Sequence, residues 1–158
     1  MAEPGLADLL EKEAIRALIQ QTAVLLDREE FDGWIDLFAL DSEYELVTYG
    51  PELRAAMTWW KSERENLKSV LGEVSEHVRD AGRRRHLVTP ISITVSGATA
   101  TAQSNFVVVR TDPDGSSDVY AAGRYEDELV SEGGGWRYAV HRCVLDTRML
   151  GTGTHVPL

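Results

Sequence analysis

The sequence has 158 residues, 43% of them hydrophobic, and a formal net charge of −10. A chain of this length can bury a core without disulfides, so residues 1–158 are expected to form a single domain. The acidic charge argues against nucleic acid and anionic membrane surfaces as partners, because both require clustered Lys and Arg.

The N-terminal segment predicts two helices and a strand. Apolar residues recur at helical spacing over residues 6–26, which predicts a long amphipathic helix. The next segment predicts a shorter helix with one apolar side, formed by Phe31, Trp34, Ile35 and Phe38. Alternation in "SEYELVTYG" then predicts a strand. Charges stand where a signal peptide would be apolar, so we expect a cytoplasmic protein.

A third helix is expected from Met57 to about Ala81, ending at Gly82. The adjacent Trp59 and Trp60 would lie about 100° apart on such a helix and could not share one core. We therefore expect one of the two tryptophans to meet a loop or a partner subunit.

Beyond Gly82 the chain predicts strands. Four segments rich in Val, Ile, Thr and Tyr are separated by the turn compositions "GA", "DPDGSS" and "SEGGG". Helices followed by a run of strands predict an α+β fold. No repeat or linker divides the chain.

The last two strands predict a hairpin with charged side chains. If its turn is centred on Gly133, Arg124 lies opposite Arg142 and Glu126 lies diagonal to Arg142. A bulge in the loop would shift the register by one and reverse every facing, and either register leaves apolar residues on both faces. Apolar residues then occur on both faces, with Trp136 on the same face as Val140 and Val144, and Leu129 on the other. Helices can cover one face, so the other is expected to meet another subunit.

The sequence gives little support for a metal site or for a catalytic nucleophile. A Rieske cluster needs two Cys and two His, whereas Cys143 is the single cysteine. A two-His, one-carboxylate iron site would draw on four histidines that show no helical spacing: His77, His86, His141 and His155. Cys143 lies in an apolar strand and is expected to pack as a small hydrophobe. We therefore predict no metal-binding or cofactor-binding residue and no catalytic nucleophile on this chain.

Acid–base catalysis is the alternative that stays open. A helix-covered curved sheet can enclose a pocket, and five residues could supply proton-transfer groups there: Asp32, Tyr49, His86, Asn105 and Tyr125. In the structural interpretation Asp32 caps a helix, both tyrosines pack in the core and His86 bonds backbone. Inward polar groups are common, which favours the structural interpretation.

Several segments, taken in order, resemble the small (beta) subunit of bacterial aromatic-ring-hydroxylating dioxygenases over nearly the whole chain. They are "LLDREEFDGWIDLFALDSEYEL", "RRRHLVTPISI", "SNFVVVRT", "GRYEDEL", "WRYAVHRCVLD" and "HVPL". Pro90 departs from the pattern, because many members have Asn or another donor there. The "VPL" ending is similar to the ending of family members that act on carboxylated aromatic compounds.

The resemblance implies a cone-like α+β fold of the cystatin-like superfamily, with N-terminal helices on a strongly curved mixed or antiparallel sheet, as in scytalone dehydratase and ketosteroid isomerase. It also implies an oxidoreductase complex of three alpha with three beta subunits and beta–beta contacts. The alpha subunit would carry the Rieske cluster and the mononuclear iron, with electrons supplied by a reductase using NADH. This chain would be a non-catalytic assembly subunit without a cofactor.

In that case the charged hairpin belongs to an interface or structural network. Its expected members are Arg85, His86, Arg124, Glu126, Trp136, Arg142 and Asp146. The alternatives are a stand-alone dehydratase or isomerase, and a small-molecule-binding homo-oligomer, each using the cone pocket.

Overall fold

The protein is described by a computed structural model that covers residues 5–74, 80–151 and 156–158. Helices α1 (Leu6–Asp27) and α2 (Phe31–Ile35) lead into strands β1 (Phe38–Gly50) and β2 (Ala55–Glu63), and helix α3 (Arg64–Glu73) comes after them. Four long strands complete the chain: β3 (Arg83–Ser96), β4 (Thr99–Thr111), β5 (Ser117–Glu132) and β6 (Gly135–Leu145). None of the helices within these ranges is long and apolar enough to cross a membrane.

The six strands form one mixed sheet in the order β2-β1-β6-β5-β4-β3. Strands β1 and β6 run parallel, and the other neighbours are antiparallel. Every pairing contains one register shift, and such bulges bend a sheet. Strands β2 and β3 form its two edges, so the sheet is open. The predicted α+β class with a mixed sheet is confirmed.

The sheet has an inner face and an outer face. The inner face packs against α1 and α3, whose apolar sides bury Ile15, Leu18 and Leu67. Its centre is filled by large, fully buried side chains: Trp34, Tyr44, Phe106, Tyr125, Tyr138, His141 and Leu158. The outer face is much more exposed, with Tyr49 54% and Leu87 58% accessible.

The helix predicted from Met57 to Ala81 is wrong over residues 57–63, which belong to β2. These residues pair with β1, and Thr58, Trp59 and Trp60 are good strand formers, so pairing to the open side of β1 outweighs the charged, helix-like composition. The predicted helix is present over residues 64–73. Asp80 and Ala81 are not helical, and residues 75–79 lie outside the described part.

The two tryptophans do face different surroundings, for a different reason than expected. Strand β2 has a bulge at this point, and side chains of neighbouring strand residues alternate between faces. Trp60 meets the Tyr44 ring edge-on at 5.4 Å between centroids, whereas Trp59 is 41% exposed.

The last hairpin does not have the register that a turn centred on Gly133 would give. The turn contains only Gly133 and Gly134, both with positive φ, and a bulge lies between Glu128 and Leu129. Glu126 therefore lies directly opposite Arg142 rather than diagonal to it. The bulge also turns Trp136 to the inner face, where it is buried instead of sharing the outer face with Val140.

Candidate functional site

A row of alternating charges crosses the outer face. Four directly paired positions on neighbouring strands form this outer ion row: Lys61 on β2, Glu45 on β1, Arg142 on β6 and Glu126 on β5. Lys61 Nζ lies 2.9 Å from Glu45 Oε1, Arg142 Nε lies 2.5 Å from Glu45 Oε2, and Arg142 also lies 3.9 Å from Glu126. The alternating signs make every pair in the row attractive.

Glu45 is the centre of this row. Burial acts to raise the pKa of its carboxyl, but hydrogen bonds from Arg142 and Lys61 outweigh that effect and leave the pKa lowered. The carboxylate is therefore ionised at neutral pH. Because neighbouring residues of a strand point to opposite faces, Glu45 and Tyr44 lie on different faces of β1. The parallel pairing of β1 with β6 then brings Glu45 next to Arg142.

The structure brings three of the seven predicted network residues together. Arg124 donates to Glu126 at 2.8 Å, and Glu126 in turn lies beside Arg142. Asp146 is exposed, and its side chain makes no ion pair within the described ranges, although its N–H donates to Ala122 O. Arg142 has Glu45 as its main partner instead.

Trp136 lies elsewhere. Its indole Nε1 donates to Glu11 Oε2 of helix α1 at 2.6 Å. It therefore joins α1 to the sheet on the inner face. The two remaining members of the predicted network, Arg85 and His86, lie at the start of β3.

A buried Asp–His pair lies inside the sheet. His141 Nδ1 is 2.6 Å from Asp127 Oδ1, and both side chains are at most 1% exposed. The rings of Tyr138 and Tyr125 lie 4.6 and 4.8 Å from the His141 ring, between centroids. Burial raises the pKa of the Asp127 carboxyl, although His141 opposes this shift. Aromatic rings enclose His141 on several sides, so this pair is a packed core element.

A second Asp–His pair lies beside a cavity at the start of β3. His86 Nδ1 lies 2.7 Å from Asp27 Oδ1, and the same oxygen accepts the His86 backbone N–H at 2.9 Å. Arg85 approaches the other Asp27 oxygen at 3.7 Å. The cavity has a volume of about 330 Å³ and runs between the end of α1, the start of β3 and residues 156–157. His86 is therefore a buried histidine among the residues that line a cavity.

The five residues of the predicted acid–base pocket do not converge. Asp32 and Asn105 are exposed, and Tyr49 is 54% accessible on the outer face. Tyr125 stacks on Phe106 at 4.5 Å in the core. His86 lines the cavity with Asp27, a partner that sequence reasoning missed, although Asp27 directly follows the helix predicted over residues 6–26.

The residues present do not fit a Rieske or mononuclear iron site. Cys143 is the single cysteine and is fully buried, and burial raises the pKa of its thiol, which disfavours the thiolate that binds metals. His86 and His141 each pair with a different carboxylate. Within residues 5–74, 80–151 and 156–158, no three His, Cys, Asp or Glu side chains form a metal-binding group. His77 and His155 lie outside these ranges.

Comparison with known proteins identifies the class of protein to which this chain belongs. Residues 7–142 match the family model of the SnoaL-like domain. The chain is 30% identical to the beta subunit of 2-aminobenzenesulfonate 2,3-dioxygenase from Alcaligenes sp., over 92% of this chain and 97% of that protein. It is 26% identical to the beta subunit of the methanesulfonate monooxygenase hydroxylase from Methylosulfonomonas methylovora, over 92% of this chain and 86% of that protein. The chain therefore belongs to the SnoaL-like family, among the beta subunits of ring-hydroxylating dioxygenases and related oxygenases.

Solved structures agree on the fold. The beta subunit of a provisionally assigned aromatic-ring-hydroxylating dioxygenase from Novosphingobium aromaticivorans superposes with a TM-score of 0.84 at 23% identity, over 98% of this chain and 100% of that one. Naphthalene 1,2-dioxygenase gives a TM-score of 0.68 at 19% identity, over 95% and 86%. A provisionally assigned scytalone dehydratase from N. aromaticivorans gives 0.65 at 21% identity, over 89% and 87%. The expected likeness to dioxygenase beta subunits and to scytalone dehydratase is confirmed.

Proposed function

We propose that this chain is the non-catalytic beta subunit of a Rieske-type aromatic-ring-hydroxylating oxygenase in the cytoplasm. It assembles with a catalytic alpha subunit and supports it. The observation that carries this proposal is the 30% identity to a dioxygenase beta subunit over nearly the whole of both chains. The packed interior of the sheet, with Tyr125 and His141 fully buried, supports a structural role.

The outer face is the proposed docking surface within the assembly. Arg124, Glu126 and Arg142 lie in or beside the outer ion row, and Leu87 and Trp59 are exposed apolar side chains elsewhere on the sheet. Alternating charge with exposed apolar side chains suits a subunit interface, because complementary charges set the register and apolar area supplies affinity. We propose three alpha and three beta subunits, with the beta subunits also in contact with one another.

The metal centres and the substrate belong to the alpha subunit in this proposal. The Rieske cluster and the mononuclear iron would lie there, because a single buried cysteine cannot anchor a cluster. Relatives at 26–30% identity are named for sulfonates, and another at 27% identity is the small subunit of anthranilate 1,2-dioxygenase from Burkholderia cepacia. We therefore propose an aromatic carboxylate or sulfonate as substrate.

Co-expression tests the assembly. The chain is produced together with its cognate Rieske-type alpha subunit, and the products are analysed by size exclusion, native mass spectrometry and metal analysis. We expect one hetero-oligomer whose iron follows the alpha subunit, and no stoichiometric iron on the isolated chain. Separate species at micromolar concentration, or about one iron per isolated beta chain, would contradict the proposal.

A stand-alone acid–base enzyme is the second candidate, and the Asp27–His86 pair beside a cavity is the observation that favours it. His86→Ala separates the two. If the chain is structural, the His86→Ala variant should keep the oxygenase activity per assembled complex within a few-fold of the unsubstituted protein. An acid–base role predicts a loss of turnover of about 10²-fold with the fold intact.

A further inference from the structure

The segment 156–158 reaches from a cavity to the buried interior of the protein. Val156 and Pro157 line the cavity of about 330 Å³ beside the end of α1 and the start of β3. Arg85, whose side chain is 63% exposed, also lines this cavity, so the cavity is open to solvent. Leu158, the next residue after Pro157, is 1% exposed and belongs to the hydrophobic core. Consecutive residues therefore contact the cavity and the core.

Leu158 meets an aromatic cluster inside the core. Its backbone N–H donates to the Tyr44 hydroxyl at 3.2 Å, and the Tyr44 side chain is fully buried. The rings around Tyr44 are those of Trp34, Trp60 and His141, with centroids 5.5, 5.4 and 5.9 Å from that of Tyr44. The position of Leu158 therefore combines apolar aromatic surroundings with one hydroxyl group that accepts a hydrogen bond.

The segment is held less firmly than the strands around it. Residues 156–158 lie in no helix or strand, and the bond from Leu158 to Tyr44 is their one hydrogen bond to another described residue. Strand β1, in contrast, is paired on both sides, with β2 and with β6. Local opening costs least free energy where backbone hydrogen bonds are few. The segment should therefore detach from the core more readily than any strand.

We propose that residues 156–158 form a detachable plug over a binding site that is closed in this structure. When the plug withdraws, the cavity extends to the aromatic cluster, and the Tyr44 hydroxyl loses the N–H that it accepts. A buried hydroxyl without a partner is unfavourable, so a ligand that donates to it takes the place of Leu158. The site suits a compact aromatic molecule with one O–H or N–H donor. This inference concerns the isolated chain, so its failure would leave the co-expression result unaffected.

Hydrogen exchange of the Leu158 amide in the unsubstituted protein tests the plug. We expect this amide to exchange at least about 100-fold faster than the amide of Leu46, at the centre of β1, because local opening exposes the first and only global unfolding exposes the second. Low urea concentrations should leave the Leu158 rate unchanged. Equal exchange of the two amides, measured by NMR, would show that the segment opens only with the whole sheet and would overturn the proposal.

Phenol and toluene probe the site, because they have nearly the same size and only phenol can donate a hydrogen bond. Each is titrated by calorimetry and NMR into Leu158→Ala, in which the shortened side chain leaves room beside Tyr44. Phenol should bind at least about tenfold more tightly than toluene, and at least about tenfold more tightly than it binds the unsubstituted protein. Leu40→Ala, which shortens a leucine that is 70% exposed, is the matched control and should behave like the unsubstituted protein.

Tyr44→Phe locates the site. Added to Leu158→Ala, it should remove the preference for phenol and leave toluene binding unchanged, because the ring stays and only the hydroxyl is lost. Leu158→Val, a milder truncation, takes the place of Leu158→Ala if the latter does not fold. Equal binding of phenol and toluene, no binding of phenol at millimolar concentration, or a preference for phenol that survives Tyr44→Phe would overturn the proposal.

Discussion

The two faces of the β5–β6 hairpin carry similar charged pairs in opposite surroundings. Asp127 and His141 pair on the inner face with side chains at most 1% exposed. Glu126 and Arg142, each one residue away, pair on the outer face with side chains 31% and 41% exposed. Both pairs join a carboxyl group to a basic side chain, so the comparison teaches what burial does to such a pair.

Inside the protein, water cannot compensate a broken pair. Removing one partner leaves the other buried and unpaired, which costs several kcal/mol. Outside, water solvates both groups and screens their attraction, so an exposed pair contributes little. Breaking the inner pair should therefore destabilise the isolated chain strongly, whereas the outer ion row should contribute little to the stability of the isolated chain.

Asp127→Ala should have the largest effect. The substitution leaves the His141 ring buried without its partner, so the free energy of unfolding should fall by about 3–5 kcal/mol. Asp127→Asn should cost less, since its amide oxygen can still accept from His141 Nδ1. Glu128→Ala, at the next outward position, is the control and should stay within about 0.5 kcal/mol. Urea unfolding measures all three, and an unchanged midpoint for Asp127→Ala would contradict the importance of the inner pair.

Asp80→Asn tests an ion pair of intermediate exposure. Hydrogen bonds from Arg110 lower the pKa of Asp80 to about 2, from about 4 in an unfolded chain. A lowered carboxyl pKa stabilises the folded state above the unfolded pKa, and that stabilisation is lost as the pH falls towards the folded pKa. The free energy of unfolding of Asp80→Asn should therefore be about 2 kcal/mol lower than that of the unsubstituted protein at pH 7, and almost equal to it at pH about 2.

Asp112→Asn is the matched control for this experiment. Asp112 also bonds Arg110, at 2.6 Å, but its side chain is 45% exposed. Asp112→Asn should lower the free energy of unfolding by less than about 1 kcal/mol at neutral pH. Unfolding free energies measured from pH 2 to pH 7 check both variants, and a loss for Asp80→Asn that is independent of pH would contradict the assignment to its ionisation.

Arg142→Ala should have the smallest effect on the isolated chain. Its partner Glu45 keeps Lys61, and the arginine is 41% exposed, so we expect a loss below about 1 kcal/mol. If the proposed interface covers the outer ion row, the loss in the assembled complex should rise to about 1.5–3 kcal/mol, because an interface would remove water from the pair. Arg148→Ala, which breaks an exposed pair with Glu52 away from the row, is the control. Equal losses for Arg142→Ala in the free and assembled states would place the outer ion row outside the interface.

Local patterns predicted much of the fold. The apolar spacing over residues 6–26 matches helix α1, and the turn compositions after Gly97 and around Gly133 separate β3 from β4 and β5 from β6. These features depend on residues close in sequence, whose propensities and turn chemistry act over a few positions. The grouping of Arg124, Glu126 and Arg142 on one face came from the same alternation.

Predictions that depended on distant contacts were less successful. Residues 57–63 form a strand because β1 offers an edge, and no local pattern reveals that partner. The bulge after Glu128 moved Trp136 to the inner face, since one extra residue reverses the facing of the rest of the strand. Glu45 and Asp27, the main partners of Arg142 and His86, are 97 and 59 residues away along the chain.

The sequence by itself determined the α+β class, the long first helix, the hairpins and the lack of enough cysteine for an iron–sulfur cluster, because composition and short-range periodicity carry that information. Only the tertiary structure decided which carboxylate each basic group meets: Asp127 for His141, Asp27 for His86 and Glu45 for Arg142. The physical reason is that a charge pair depends on distance and burial, and both are set by the parallel pairing of β1 with β6 and by the packing of α1 on the sheet.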